Sequence, residues 1–362
     1  MNVKRLLERV PADREAEERA WTLVRAAYAE GEHVRVRPRR RRLMLAGVAL
    51  AAVVAASAFS SPGRAVVNAV RRTIGISHAA PALFRLPTAG RLLVSGGGGA
   101  WVVAPDGSKR RLGAYDEAAW SPHGLYVIAA TSNELAALEP STGTVHWSLA
   151  RPKVAFPRWG GSRTDTRVAY LSGDRLRVVA GDGTGDAATA PAAHIAPAWR
   201  PGNTRQLAFV TRDGHVQLLG AWRSSRRYAG PRSLVWSPDG RALLLVTARQ
   251  LVLFAPGSGR ARTLHLGGVS AAAFSSRGQL AVVRHHAILV LDGEQSRPVF
   301  TARVGLRGLV WSPNGSWLVT SLPSADQWIF VGKRRVLAVS HIARQFGGAT
   351  SLDGWVPGPY PG

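Results

Sequence analysis

The chain has 362 residues, 46% of them hydrophobic, and its 47 Lys+Arg against 22 Asp+Glu leave a formal net charge of +25. That length exceeds what one hydrophobic core usually serves, so the core must be divided among repeats or domains, and the apolar content excludes a disordered chain. The absence of cysteine excludes disulfides, thiolate zinc sites and cysteine nucleophiles.

Only four of the basic residues are lysines (Lys4, Lys109, Lys153, Lys333). The arginines are dispersed among strands and turns, as a GC-rich codon usage would scatter them. No nucleic-acid partner is therefore expected. Anionic headgroups and envelope polymers are compatible with such a surface.

Residues 1–42 form the first segment. Leu6, Leu7 and Val10 make a short apolar patch before Pro11. After Asp13, Ala20, Trp21, Val24, Ala27 and Tyr28 recur at helical spacing, with Glu15, Glu17 and Glu18 in the early turns. A single amphipathic helix of this kind needs a partner to cover its face. Residues 35–42 then carry six arginines. From Leu43 to Phe59 run 17 uncharged residues, a helix of about 26 Å, and Ser60 and Ser61 extend it toward the ~30 Å of bilayer hydrocarbon. Residues 43–61 are read as one transmembrane helix. The arginine excess before it places the N-terminus in the cytoplasm and the rest outside a bacterial plasma membrane. Ala56-Ser57-Ala58 also fits a signal-peptidase site, but the preceding charged stretch is too long for an ordinary signal peptide. Residues 62–80 read as a juxtamembrane helix, from Pro62 to Gly75, and a linker. Short cytoplasmic helices, one span and a large outer part resemble the layout of membrane-bound anti-sigma factors, which implies a regulatory role for residues 1–34. The zinc-binding His/Cys motif of many such regulators is missing.

Residues 81–362 carry the repeats. An aromatic residue followed by a small residue and a turn recurs at Trp120, Trp159, Trp199, Trp236, Phe274 and Trp311, with spacings of 39, 40, 37, 38 and 37 residues. Three copies read Ser-Pro-His-Gly124, Ser-Pro-Asp-Gly240 and Ser-Pro-Asn-Gly315 after the Trp, where Gly124, Gly240 and Gly315 supply the positive φ of the turn. Behind each motif follow short strands separated by Pro/Gly/Asp turns. Strands such as Ala242-Leu-Leu-Leu-Val-Thr247 are apolar on both faces and need cover on both. A four-stranded unit of about 40 residues with no helical period is a propeller blade. The expected fold is all-β, a β-propeller of seven four-stranded blades, or six if residues 82–112 stay outside the ring. The missing inner strand of the first blade is either Leu83–Leu86 or the C-terminal Leu352–Gly358, and the second is favoured. These units resemble the TolB-type branch of the WD-repeat superfamily over residues 82–358. The resemblance implies a binding scaffold and brings no catalytic residues with it.

No zincin, Walker or nucleophile-elbow motif is present. Gly96–Gly99 reads as a hairpin and not as a phosphate cradle. Asp182 and Asp186 are the only candidates for a calcium ion, with an ordinary turn the stronger reading. His285-His286 falls between two strands, where neighbouring side chains diverge. The expectation is thus a non-enzymatic binding or scaffolding module without a cofactor, for a protein or an anionic envelope polymer. A hydrolase or lyase site assembled at the channel mouth from separate blades would escape a search for local motifs.

Overall fold

The computed structural model describes residues 78–80 and 85–358, apart from positions 163, 204 and 294. The expected cytoplasmic, transmembrane and juxtamembrane helices lie outside the described residues.

Seven sheets form a seven-bladed propeller. The inner strands are Thr350–Val356 (blade 1), Glu117–Trp120 (blade 2), Val154–Gly161 (blade 3), Ala198–Trp199 (blade 4), Pro231–Trp236 (blade 5), Val269–Phe274 (blade 6) and Arg307–Trp311 (blade 7). In each blade three further antiparallel strands follow outward, as in Leu243–Thr247, Leu251–Ala255 and Arg260–Leu264 of blade 5. Inner strands touch in succession, and that of blade 7 touches that of blade 1, which closes the ring around a central channel. Closure uses the C-terminal strand. Thr350–Val356 pairs antiparallel with Arg91–Gly96, the second strand of blade 1, so the two ends of the repeat region share one sheet.

Why these strands are apolar on both faces follows from the cores. Seven hydrophobic clusters lie one at each blade interface. Leu243 and Leu245 of blade 5 pack toward blade 4, while Leu244 and Val246 pack toward blade 6. Val127 and Ala129 of blade 2 likewise face blade 1, and Ile128 and Ala130 face blade 3. A period of two thus feeds two cores in alternation.

The repeat motif fastens this packing. The indole Nε1–H of Trp120, Trp199, Trp236 and Trp311 donates to the carbonyl just before the motif aromatic of the preceding blade: Gly354 (3.3 Å), Arg158 (3.0 Å), Ala198 (3.0 Å) and Ala273 (3.1 Å). The buried Ser237 hydroxyl accepts the Ala242 N–H at 2.9 Å and donates to Asp239 at 2.6 Å. Ser312 repeats this with Trp317 and Asn314. Gly124, Gly240 and Gly315 close these turns at φ +66° to +67°. The two degenerate copies differ for identifiable reasons. Phe274 has no N–H to give, and in blade 3 a Cβ on Gly160 would overlap the Trp199 ring.

Two additions were not visible in the repeats. Strand His78–Ala80 pairs parallel with Val336–Ser340, the outer strand of blade 7. That edge reads Val-Leu-Ala-Val-Ser, whereas the outer strands Lys109–Gly113, Trp222–Arg227 and Arg260–Leu264 are charged. Charge protects an exposed edge, and an apolar edge needs covering. Helix α1 (Ile342–Phe346) buries Phe346 against Trp328 and Trp101, ring centroids 4.9 and 5.8 Å away.

Candidate functional site

Most inner-strand positions facing the ring carry small or apolar residues, but blades 1 to 3 place three ionisable side chains together. Asp353 comes from blade 1, Glu117 from blade 2 and Arg158 from blade 3. Burial pushes the Asp353 carboxyl up to about 7. The Ser95 hydroxyl and the Arg158 guanidinium pull it down, and the charge of Glu117 raises it. Asp353 Oδ2 is buried without a hydrogen-bond partner. Burial lowers the Arg158 guanidinium, while Asp353 and Glu117 favour its charge.

Backbone strain lies beside these groups. Phe156 adopts φ +55°, a conformation rare for a bulky residue. Its N–H donates to Glu117 Oε2 at 2.6 Å, and its ring meets His194 edge-on at 4.8 Å. The pairing of blade 3's first two strands slips at this point, where Ala169 faces Arg158 but Leu171 faces Ala155. Strain of this kind persists only where surrounding contacts enforce it, and it gathers at functional positions. A carboxyl that titrates near neutrality, a fixed carboxylate and a guanidinium can exchange a proton or anchor a partner's charged side chain.

The sequence-predicted residues fall elsewhere. Trp120, Trp159, Trp199, Trp236, Phe274 and Trp311 all sit between blades in structural roles. Asp182 Oδ1 accepts the N–H and the hydroxyl of Thr184, at 3.0 and 2.7 Å, within a hairpin turn. Asp186 belongs to a different environment. It receives Arg151 (2.7 Å), Arg177 (2.7 Å) and the Tyr170 hydroxyl (2.8 Å). Burial pushes its carboxyl up, but these hydrogen bonds outweigh that and hold it below the usual range. Both Asp186 oxygens and Asp182 Oδ1 are thus committed to protein donors. No cluster of three or more His, Asp or Glu able to hold a metal occurs among the described residues. His285 and His286 form a hairpin, with His285 at φ +53°.

The WD domain, G-beta repeat model matches residues 295–331, from the outer strand of blade 6 into blade 7. No curated protein matches the sequence significantly. Several solved propellers share the fold. The propeller domain of Cps50 (Swd1) from Myceliophteria thermophila is 13% identical, covers 63% of this chain and 87% of its own, and has a TM-score of 0.50. KlHsv2 with a replaced loop 6CD is 11% identical, covering 69% and 93% with a TM-score of 0.52. A chain of the Mitotic Checkpoint Complex is 15% identical, covering 70% and 90% with a TM-score of 0.54. At these identities the likeness concerns the fold, and together with the repeat match it identifies a WD-repeat-like seven-bladed propeller.

Proposed function

We propose that the chain is a membrane-tethered, non-enzymatic scaffold that holds its propeller outside the cytoplasm and docks a protein partner over the channel mouth of blades 1 to 3. WD-repeat propellers generally act as protein-binding scaffolds, and one similar chain was solved within the Mitotic Checkpoint Complex. The observation that carries the reading is the charged trio Asp353, Glu117 and Arg158 on a rigid ring, beside a strained Phe156. A photo-crosslinking residue at position 194, next to Phe156, should capture one dominant protein in native membranes, while the same residue at Ser258 on the outer rim should not. Equal capture at both positions, or none at 194, removes the reading.

The tether reading rests on residues 43–61 and the arginines before them. Alkaline phosphatase fused after Gly362 should be active, and an inactive fusion with an active cytoplasmic reporter reverses the orientation. An anionic envelope polymer is the other partner class that the basic composition supports. One observation favours an enzymatic alternative: a carboxyl pushed up to about 7 beside a second carboxylate is the pairing used in acid–base hydrolysis. Turnover of a glycan or ester substrate, lost in Asp353→Asn, would establish it.

A further inference from the structure

An open cleft of about 740 Å³ lies between the outer strands of blades 4 and 5 at the rim, a size that accommodates a small ligand. The outer strand of blade 4, Trp222–Arg227, shapes it through a bulge. Its pairing with His215–Leu218 joins Arg227 to His215 and Arg223 to Gln217, so Ser224, Ser225 and Arg226 all lie opposite Val216. Ser224 pins the bulge: its buried hydroxyl accepts the Val216 N–H at 3.0 Å and donates to the Arg226 carbonyl at 2.8 Å. A bulge twists an edge strand and re-aims its side chains. Here it brings three arginines of one hexapeptide to the cleft wall.

The chemistry of the lining is one-sided. Trp222 and Tyr228 stand edge-on to the buried Phe254, at 5.3 and 5.6 Å, and make an aromatic floor. Ser225 and the blade 5 residues Thr263 and His265 add polar groups, and no Asp or Glu lines the cleft. Arg223 is held by Asp213 at 2.6 Å. Arg226 and Arg227 have no carboxylate partner among the described residues. Two of the three basic side chains on the outer strand of blade 1 are occupied by contrast. Lys109 bonds Gln345 and lies over the Phe346 ring, and Arg111 bonds the Gly98 carbonyl and lies over Trp101.

We propose that this cleft binds a phosphoryl-bearing ligand, with Arg226 and Arg227 on the phosphate oxygens and the aromatic floor against its carrier. Two guanidiniums with hydroxyl donors beside them offer more N–H and O–H groups than the two oxygens of a carboxylate can accept, whereas a phosphate accepts them on three. The assignment is independent of the scaffold reading, because the cleft is on the rim and the charged trio lines the channel.

Isothermal titration of the full chain in nonionic detergent with glycerol 3-phosphate tests it. Binding should be at least about tenfold tighter than for glucuronate. Arg226→Gln with Arg227→Gln should lose about tenfold or more in affinity with an unchanged melting temperature. Arg334→Gln with Arg335→Gln, on a blade 7 hairpin, should bind as the parent does. A chain of poly(glycerol phosphate) separates two sources of the same chemistry: tighter binding per phosphate than the monomer assigns an envelope polymer, and equal binding assigns a free phosphorylated metabolite. Equal affinity for glucuronate, unchanged binding by the Arg226/Arg227 variant, or the same loss in the Arg334/Arg335 variant would overturn the proposal.

Discussion

Removing the Asp186 carboxylate tests how blades 2 and 3 are held together at their outer strands. Its side chain is 4% exposed and accepts from Arg151 of the blade 2 end, from Arg177, and from Tyr170. Asp186→Ala would leave two guanidiniums and a phenol without their shared acceptor. Breaking a fully buried ion pair costs about 3–5 kcal/mol. Arg151 and Arg177 are 36% and 21% exposed, so water can resolvate them in part and about 2–3 kcal/mol is expected. That corresponds to a melting temperature lower by about 5 °C for a domain of this size. Asp186→Asn keeps an acceptor for Tyr170 and should lose about half as much.

The pH dependence gives the experiment its sign. The Asp186 carboxyl is held below its ordinary value in the folded state. Its contribution is therefore complete above the unfolded value of about 4 and disappears as pH falls through the lower folded value. Urea unfolding of the full chain in detergent should show parent and Asp186→Ala well separated at pH 7 and converging toward pH 3. Added calcium should leave the parent's melting temperature unchanged, because both Asp186 oxygens are occupied. A loss below about 0.5 kcal/mol at pH 7, or a gap that does not close in acid, would refute the network's role.

Three further outcomes follow from the ring. Trp236→Phe deletes the hydrogen bond to the Ala198 carbonyl and the Arg200 guanidinium's seat over the indole, and should cost about 1–2 kcal/mol in urea unfolding. Asp353→Asn should stabilise the protein in a pH-dependent way. A carboxyl raised to about 7 favours the fold below about pH 4 and loses that advantage as pH rises through 7. The upper bound is about 4 kcal/mol, and about 1–3 kcal/mol should appear at pH 8 with none at pH 4, so an equal shift at both would exclude the titration. Deleting residues 350–362 removes the inner strand of blade 1 and the buried Trp355. It should abolish a single cooperative melt or lower it by more than about 10 °C, and an unchanged melt would show that the ring does not need this closure.

The fold was legible because each blade repeats one physical problem. An aromatic residue packs between neighbouring blades, and in blades 2, 5, 6 and 7 a buried serine (Ser121, Ser237, Ser275, Ser312) holds the turn that follows, so the same residue types recur at one phase. Closure was legible for the same reason, since Asp353-Gly354-Trp355 ends an inner strand like any other copy. What escaped depends on contacts between distant segments. The covering strand His78–Ala80 answers an apolar edge formed some 260 residues later, and α1 exists to seat Phe346 on Trp328, neither of which leaves a local pattern. The rim cleft depends on a bulge, and Trp222-Arg-Ser-Ser-Arg-Arg227 by itself reads as one more charged edge strand.

The charged trio shows what a register-aware reading of the repeats adds. Asp353 lies two residues before its motif Trp, where blades 5 and 7 carry Leu234 and Leu309, while Glu117 lies three before and Arg158 one before. No local motif joins residues 117, 158 and 353, yet superposing the repeats on their aromatics brings them to adjacent inner strands. Blade 3 departs furthest from the motif, and it is also the blade that supplies Arg158 and the strained Phe156. Its Trp159 leaves Nε1 without a partner, and the missing Ser-Pro-Asp-Gly turn is replaced by a longer inner strand, Val154–Gly161, whose Gly160 makes room for the Trp199 ring. The degenerate copy is thus not a decayed repeat. The regular fastening is relaxed where the Phe156 N–H is instead held by a carboxylate from the neighbouring blade, which couples blades 2 and 3 through the candidate site itself.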